Sequence, residues 1–394
     1  MLGTEPLCHI QPTPYGGRGV FAVQHIPKDT TIHVCNGPYA YVVYKEFRKE
    51  VCAYCFKYAF DEGRNAWNVR LEDKPGSGVW FCSTECRNVW QEQENVDDLV
   101  VWMNGALDKA SKRMKPPPPN PSQGVDNLGT SSFESPLLRP EDLTRQVIDV
   151  AWRTAESLPL GPPHAEYDYL QELEVETARF LISGIVQRYR EDVNSTAPNA
   201  TLDHASIPSH LTWTCFLDLQ NNEVPHLRSK PHVNVLASHL RIYHFLRRIL
   251  HPALQKYVRT AETVRTVLSR DPGNVFGLWD MSTSGDSEML GWGLYTSASY
   301  FNHDCNPNVK KVRDGRSLFF RTTRDVLPGE ELCISYVDLQ DSVFDRQRQL
   351  QQHWYFTCCC QRCQTELSTS VQGVSANMVT STTETALGGC ESCA

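Results

Sequence analysis

Apolar and polar residues change their spacing twice along the chain, and each change marks a change of element. Before residue 44 they alternate in short runs, Gly19-Val20-Phe21-Ala22-Val23, Thr30-Thr31-Ile32-His33-Val34 and Tyr39-Ala40-Tyr41-Val42-Val43, which predicts short strands. The first follows a glycine turn, Tyr15-Gly16-Gly17-Arg18, with no Gly-Lys-Ser/Thr behind it, so it is not a phosphate loop. Over residues 141–269 the repeat lengthens to that of a helix. Leu170, Leu173, Thr177, Phe180, Leu181, Gly184, Ile185 and Arg188 share one face; Leu236, Leu240, Tyr243, Leu246 and Leu250 share a second, broken at Pro252. Leu254, Tyr257, Ala261, Val264 and Val267 make a third, which stops at Asp271-Pro272-Gly273. Strand character returns over residues 274–279. Residues 309–313 and 316–322 flank Asp314-Gly315, a hairpin with a two-residue turn, and Leu332-Cys333-Ile334-Ser335-Tyr336 predicts another strand. A charged helix follows over residues 345–352, and the Ser/Thr-rich stretch after Glu366 reads as disordered.

Lys115-Pro116-Pro117-Pro118-Pro119-Asn120-Pro121 opens a Pro/Ser/Gly-rich stretch to about Pro140 that reads as a linker. At 394 residues, with 40% hydrophobic and 21% charged residues, two or three folded lobes are expected. No stretch approaches the ~18 apolar residues of a membrane span, and the first residues lack the parts of a leader. The formal charge of −8 argues against a dedicated nucleic-acid binder and suits a cationic substrate.

The 15 cysteines sharpen the picture, since clustered cysteines in a chain expected to be intracellular point to metal more than to disulfides. Cys52, Cys55, Cys82 and Cys86 supply the four thiolates of a tetrahedral structural zinc site, the second pair at the start of a helix. Cys358, Cys360 and Cys363 supply three more, and Cys305 can complete the set if the C-terminal segment folds back. Adjacent side chains diverge, which leaves Cys359 out. Cys8, Cys35, Cys215 and Cys333 stand alone in apolar settings as small buried hydrophobes. His226, His232, His239, His244 and His251 lack partner cysteines and read as structural or surface residues. The stretch Ser299-Tyr300-Phe301-Asn302-His303-Asp304-Cys305-Asn306-Pro307-Asn308 concentrates amide, imidazole and thiol, costly to bury without partners, and so reads as a site.

Four motifs follow one another: Gly17-Arg18-Gly19-Val20-Phe21, Asn302-His303-x-Cys305-x-Pro307-Asn308, Gly329-Glu330-Glu331-Leu332 with Tyr336, and Cys358-x-Cys360-x-x-Cys363. Together they resemble a SET domain with its cysteine-rich post-SET tail. With a cysteine finger after the first strands, the chain resembles the SET-and-MYND group of protein lysine methyltransferases, in divergent form, over residues 12–364. The resemblance implies an α+β fold, a mostly-β SET core in which the strand ending at Tyr336 passes through a loop as a pseudoknot. The implied parts are the N-terminal SET part (1–48), a reduced MYND-like finger (49–95), a linker (96–140), a helical insert (141–272), the C-terminal SET core (273–340), a post-SET zinc segment (341–366) and a disordered tail (367–394).

The same resemblance implies S-adenosyl-L-methionine as cofactor, two structural Zn2+ sites, and methyl transfer to a lysine of a histone or another protein. Arg18, Gly19, Asn274, Ser299, Asn302, His303 and Phe356 are expected to line the cofactor pocket, with Tyr336 the catalytic-site tyrosine. A monomer in nucleus or cytoplasm is expected, without sequence-specific nucleic-acid or membrane binding. Three departures stand out: the finger lacks the second ligand set of a full MYND finger, Asp304 replaces a serine, and Trp354 stands where relatives carry a tyrosine bordering the lysine channel. The other reading is a zinc-stabilised protein-binding module that kept the fold and lost catalysis. The reduced finger and Trp354 favour it; Asn302, His303 and Tyr336 oppose it.

Overall fold

A computed structural model describes residues 6–74, 76–113, 139–160, 169–194, 212–229, 235–280 and 287–377. The proline run from Lys115, and Cys390 and Cys393, lie outside the described residues. The strands are β1 (Cys8–Pro12), β2 (Arg18–Ala22), β3 (Thr31–Cys35), β4 (Ala40–Val43), β5 (Val275–Trp279), β6 (Met289–Leu294), β7 (Val309–Asp314) and β8 (Ser317–Thr322). The helices are α1 (Thr84–Gln93), α2 (Leu99–Arg113), α3 (Arg145–Ser157), α4 (Glu172–Asn194), α5 (Trp213–Leu217), α6 (Glu223–Ser229), α7 (Val235–Ile249), α8 (Glu262–Arg270), α9 (Val343–His353) and α10 (Gln361–Asn377). These elements divide into two compact units, with the boundaries after Gly37 and Tyr295.

The first unit joins the N-terminal strands to everything from Thr296 onward. β1 and β2 form an antiparallel hairpin, Cys8 opposite Ala22, closed by a turn with Gly16 and Gly17 at φ 94° and 70°. β3, β8 and β7 form an antiparallel sheet in that order. Asp314 pairs with Ser317, so the β7–β8 loop is Gly315-Arg316, one residue later than its spacing predicts. Gly315, at φ 57°, takes the first loop position, which asks for a left-handed residue.

The second unit has β6 between β4 and β5, all antiparallel. A Cβ at Gly291 in β6 would lie 2.1 Å from the Val42 carbonyl oxygen, so only glycine lets the strands approach. α4 lies on β4, and Gly184 makes the contact close: its Cβ would sit 3.3 Å from that of Ala40. Around this pair Ile148, Trp152, Leu181, Ile185, Leu240, Tyr243, Val264 and Val267 form one buried core.

Four elements differ from expectation. Residues 332–336, expected as a strand, form no continuous strand, and the segment pairs only through isolated bridges at Glu331 and Ile334. The run from Leu254 to Val267 is not one helix but a 3-10 segment, Pro252–Val258, followed by α8. The break falls where Glu156 accepts the Ala261 N–H at 2.5 Å, drawing that donor away from a continuous helix. α2 occupies part of the expected linker and buries Leu99, Met103 and Leu107, spaced i, i+4, i+8. α10 continues to Asn377 through the stretch expected to be disordered, with Thr365, Ser368 and Thr369 hydroxyls turned back onto carbonyls four residues earlier.

Candidate active site

The site grows from one segment of the first unit, residues 329–336, that is hydrogen-bonded along both sides. On one side Gly329 N donates to Ala22 O at 2.8 Å, Ala22 N to Glu330 O at 2.9 Å and Leu332 N to Val20 O at 2.7 Å. On the other, Ile334 N donates to Asn302 O at 2.9 Å, Asp304 N to Ile334 O at 3.0 Å and Val309 N to Cys333 O at 3.0 Å. The buried Asn308 carboxamide stitches the crossing, accepting from Cys333 N at 2.9 Å and donating to Glu331 O at 2.8 Å. Asp304, in place of a serine, accepts the Asn306 N–H at 2.7 Å, a turn bond a serine hydroxyl could also make. The two stretches are thus locked through each other.

Tyr336 ends this segment. Its hydroxyl donates to Phe301 O at 2.8 Å and its N–H donates to His303 Nδ1 at 3.0 Å. Because His303 Nδ1 accepts, the ring proton sits on Nε2, which donates to Cys305 Sγ at 3.2 Å. Both ring nitrogens of His303 are therefore engaged within the protein, and the imidazole is a strut between Tyr336 and Cys305. Burial, with Cys333 and Glu331 nearby, pushes the Tyr336 phenol well above its ordinary value, so it stays a neutral donor.

Asn302 points the other way. Its Nδ2 donates to Arg18 O at 3.0 Å and Glu331 Oε1 at 2.8 Å. Arg18 lies over the Tyr300 ring, 5.3 Å from guanidinium carbon to centroid. A Cβ at Gly19 would fall 2.3 Å from Glu331 Oε1 and 2.8 Å from Asn302 Nδ2, so any larger residue would displace these two side chains. Ser299 is part-buried in the 3-10 turn Ala298–Tyr300. Phe356 faces the His303 ring at 6.2 Å and Trp354 the Tyr336 ring at 5.3 Å. Tyr355 between them adopts φ 66°, a costly left-handed residue that turns both flanking rings to these partners. Asn274 belongs to the second unit, where its carboxamide donates to Gln220 O and Arg270 O.

Cys305, Cys358, Cys360 and Cys363 bring their sulfurs within 4.8 Å of one another, with Cys305 3.5 Å from Cys363 and 4.0 Å from Cys358. A zinc ion with Zn–S bonds of about 2.3 Å spaces tetrahedral sulfurs about 3.8 Å apart, so the donor set fits zinc. Cys359 turns aside, its thiol directed at Thr357 O. Arg362 lashes the C-terminal segment down, donating to Cys305 O at 3.0 Å and Leu339 O at 2.9 Å. The buried Arg346 places Nη2 3.8 Å from Cys363 Sγ and 2.7 Å from Glu366, a cation beside clustered thiolates.

In the second unit Cys52, Cys55, Cys82 and Cys86 form the other such cluster, with Cys82 3.5 Å from both Cys55 and Cys86. Ser83 caps α1 by accepting from Cys86 N, which sets Cys86 on the first helical turn and Cys82 just before the cap. Trp67, Leu71, Phe81 and Trp90 build a small core beside the thiols. Among the described residues the finger brings these four thiols into one cluster.

Comparison with known proteins decides what this crossing belongs to. The model of the SET domain matches residues 17–337. The chain belongs to the SET domain family. A potential protein lysine methyltransferase, SET6 of Saccharomyces cerevisiae, is 28% identical over 92% of this chain and 96% of its own length. The human histone-lysine N-methyltransferase SMYD3 is 41% identical over 21% of this chain and 19% of its own. The histone-lysine N-methyltransferase ASHR2 of Arabidopsis thaliana is 36% identical over 26% of this chain and 28% of its own. The α+β SET fold with two four-cysteine clusters compatible with zinc is thus the fold of this chain.

Several groups around the SET domain crossing escaped sequence reasoning. Tyr15 donates to both Glu331 oxygens at 2.6 Å, although it lies in a turn read only for its glycines. Glu331 belongs to the Gly329-Glu330-Glu331-Leu332 motif, whose pattern assigns it no role. Ser297, 3.0 Å from His33 Nε2 and 2.9 Å from Cys35 Sγ, and Arg346 gave no local pattern at all.

Proposed function

We propose that the chain is an S-adenosylmethionine-dependent protein-lysine N-methyltransferase acting on a lysine of a histone or of another protein. The observation that carries this reading is the crossing itself, which holds the Tyr336 hydroxyl against Phe301 O one residue from Asn302. Bound S-adenosylmethionine supplies a methyl group made electrophilic by its sulfonium. Arg18, Gly19, Ser299, Asn302 and Phe356 would hold it, with Asn274 kept in the set on motif order alone. His303 would contribute its backbone and ring face, since its nitrogens are taken.

Gly19 accords with the fit, because its missing Cβ leaves room for the Asn302 and Glu331 side chains to meet beside Arg18. With its proton directed at Phe301 O, the neutral Tyr336 oxygen keeps lone pairs that can accept an N–H from a substrate amine. Its work is orientation of that amine and of developing charge, not removal of a proton. The net charge of −8 accords with a basic substrate segment, and a monomer in nucleus or cytoplasm remains part of the proposal.

The binding-module alternative shares the fold but has no use for a cofactor. Titration calorimetry separates them: micromolar affinity for S-adenosylmethionine is expected, and no heat at millimolar cofactor would sink the enzyme reading.

A further inference from the structure

We propose that Tyr15 and Glu331 form a clamp that sets the Asn302 carboxamide for the cationic amino end of S-adenosylmethionine, an inference that rests on the cofactor reading above. Glu331 is a carboxylate held by neutral donors: the Tyr15 hydroxyl at 2.6 Å and Asn302 Nδ2 at 2.8 Å. Among the described residues no basic side chain pairs with it. A part-buried carboxylate without a cation is costly, and a ligand ammonium nearby relieves that cost.

The same contacts orient the amide. Nδ2 of Asn302 faces Arg18 O and Glu331 Oε1, with the Tyr15 hydroxyl 3.3 Å away, so Oδ1 is turned from all three. No donor among the described residues reaches Oδ1, which leaves it an acceptor for an ammonium N–H. Gly19 leaves the space that the clamp occupies. It sits in β2 and outside the positive-φ glycines, so its backbone does not need glycine; the clamp does, because a Cβ would strike Glu331 Oε1 at 2.3 Å. Tyr15 reaches Glu331 from the turn before β2 with 43% of its surface exposed, so removing its hydroxyl opens no core.

Tyr15 and Glu331 are positioning residues here, acting on the cofactor through Asn302 and through charge. Calorimetric titration of S-adenosylmethionine and of its desamino analogue into wild type, Tyr15→Phe, Glu331→Gln, Asn302→Ala and Tyr15→Phe/Asn302→Ala tests this. Cofactor affinity should fall about fivefold in Tyr15→Phe and about tenfold in Glu331→Gln, as hydrogen bonds to charged groups imply. The losses should vanish for the desamino analogue, and Tyr15→Phe should add nothing once Asn302 is gone. Unchanged affinity in both Tyr15→Phe and Glu331→Gln overturns the clamp and leaves the cofactor reading standing. Equal losses for both ligands also overturn it, since they indicate a general disturbance of the pocket. A wild type that binds no cofactor at millimolar concentration overturns the cofactor reading, and the clamp with it.

Discussion

His33, Ser297 and Cys35 show how individual residues in the first unit settle their charge by burial. His33 Nε2 lies 3.0 Å from Ser297 Oγ, with the imidazole against Phe301 and Phe320. Burial pushes this imidazole down to about 4 and the Cys35 thiol up to about 12, so the trio is uncharged at neutral pH. In the unfolded chain His33 titrates near 6.5, so the unfolded state takes a proton that the folded state refuses. The contribution is therefore full above about pH 6.5 and is lost as pH falls towards about 4, up to about 3 kcal/mol in all. Urea unfolding across this range should show a steeper fall for wild type than for His33→Gln, which keeps a group able to bond Ser297. Parallel curves would contradict the assignment. Asn302 and His303 show the complementary case: the sequence marked both as site residues, but their division of labour depends on Arg18, Glu331, Tyr336 and Cys305, which only the fold brings near.

At the scale of elements, α2 is the clearest test of packing. Leu107 is fully buried in the core shared with α4 and α7, so Leu107→Ala should cost about 2–4 kcal/mol, read from chemical denaturation. A cost below about 0.5 kcal/mol would mean that the helix does not dock there. Its Leu99, Met103 and Leu107 spacing was present in the sequence, but the adjoining proline run drew the whole stretch into an expected linker. The strands were more legible. Alternation located β2, β3, β4 and the β7–β8 hairpin, whose loop register slipped by one residue because Gly315 rather than Asp314 opens the turn, while β1 and β6 were not foreseen and residues 332–336 hold only isolated bridges. The run from Leu254 to Val267 was misread because periodicity counts apolar faces and cannot see Glu156, on another helix, capturing the Ala261 N–H. The crossing of residues 302–309 with 329–336 was legible only through the resemblance, since no local pattern encodes which loop a strand passes through.

Across the described residues of the molecule, each unit holds one cluster of four cysteines, and each cluster anchors a small core of its own. Purified protein should carry two equivalents of zinc, and strong chelators should lower its melting temperature as folding free energy held in Zn–S bonds is lost. Cys305→Ser should reduce zinc to one equivalent and weaken cofactor binding together, because His303 links that thiol to Tyr336. Elemental analysis paired with calorimetry checks this; full zinc content in the variant would break the link. Cys55→Ser should also remove one equivalent, from the finger cluster. The remaining and most direct test concerns transfer itself. Wild-type protein and Tyr336→Phe are incubated with labelled S-adenosylmethionine and an array of lysine peptides that includes histone tails, and methyl-lysine is identified by mass spectrometry. Wild type should methylate lysine, and Tyr336→Phe should fall at least about a hundredfold while keeping its melting temperature and zinc, as expected for loss of the oxygen that accepts an N–H of the reacting amine. Methylation by Tyr336→Phe at the wild-type rate would contradict the account.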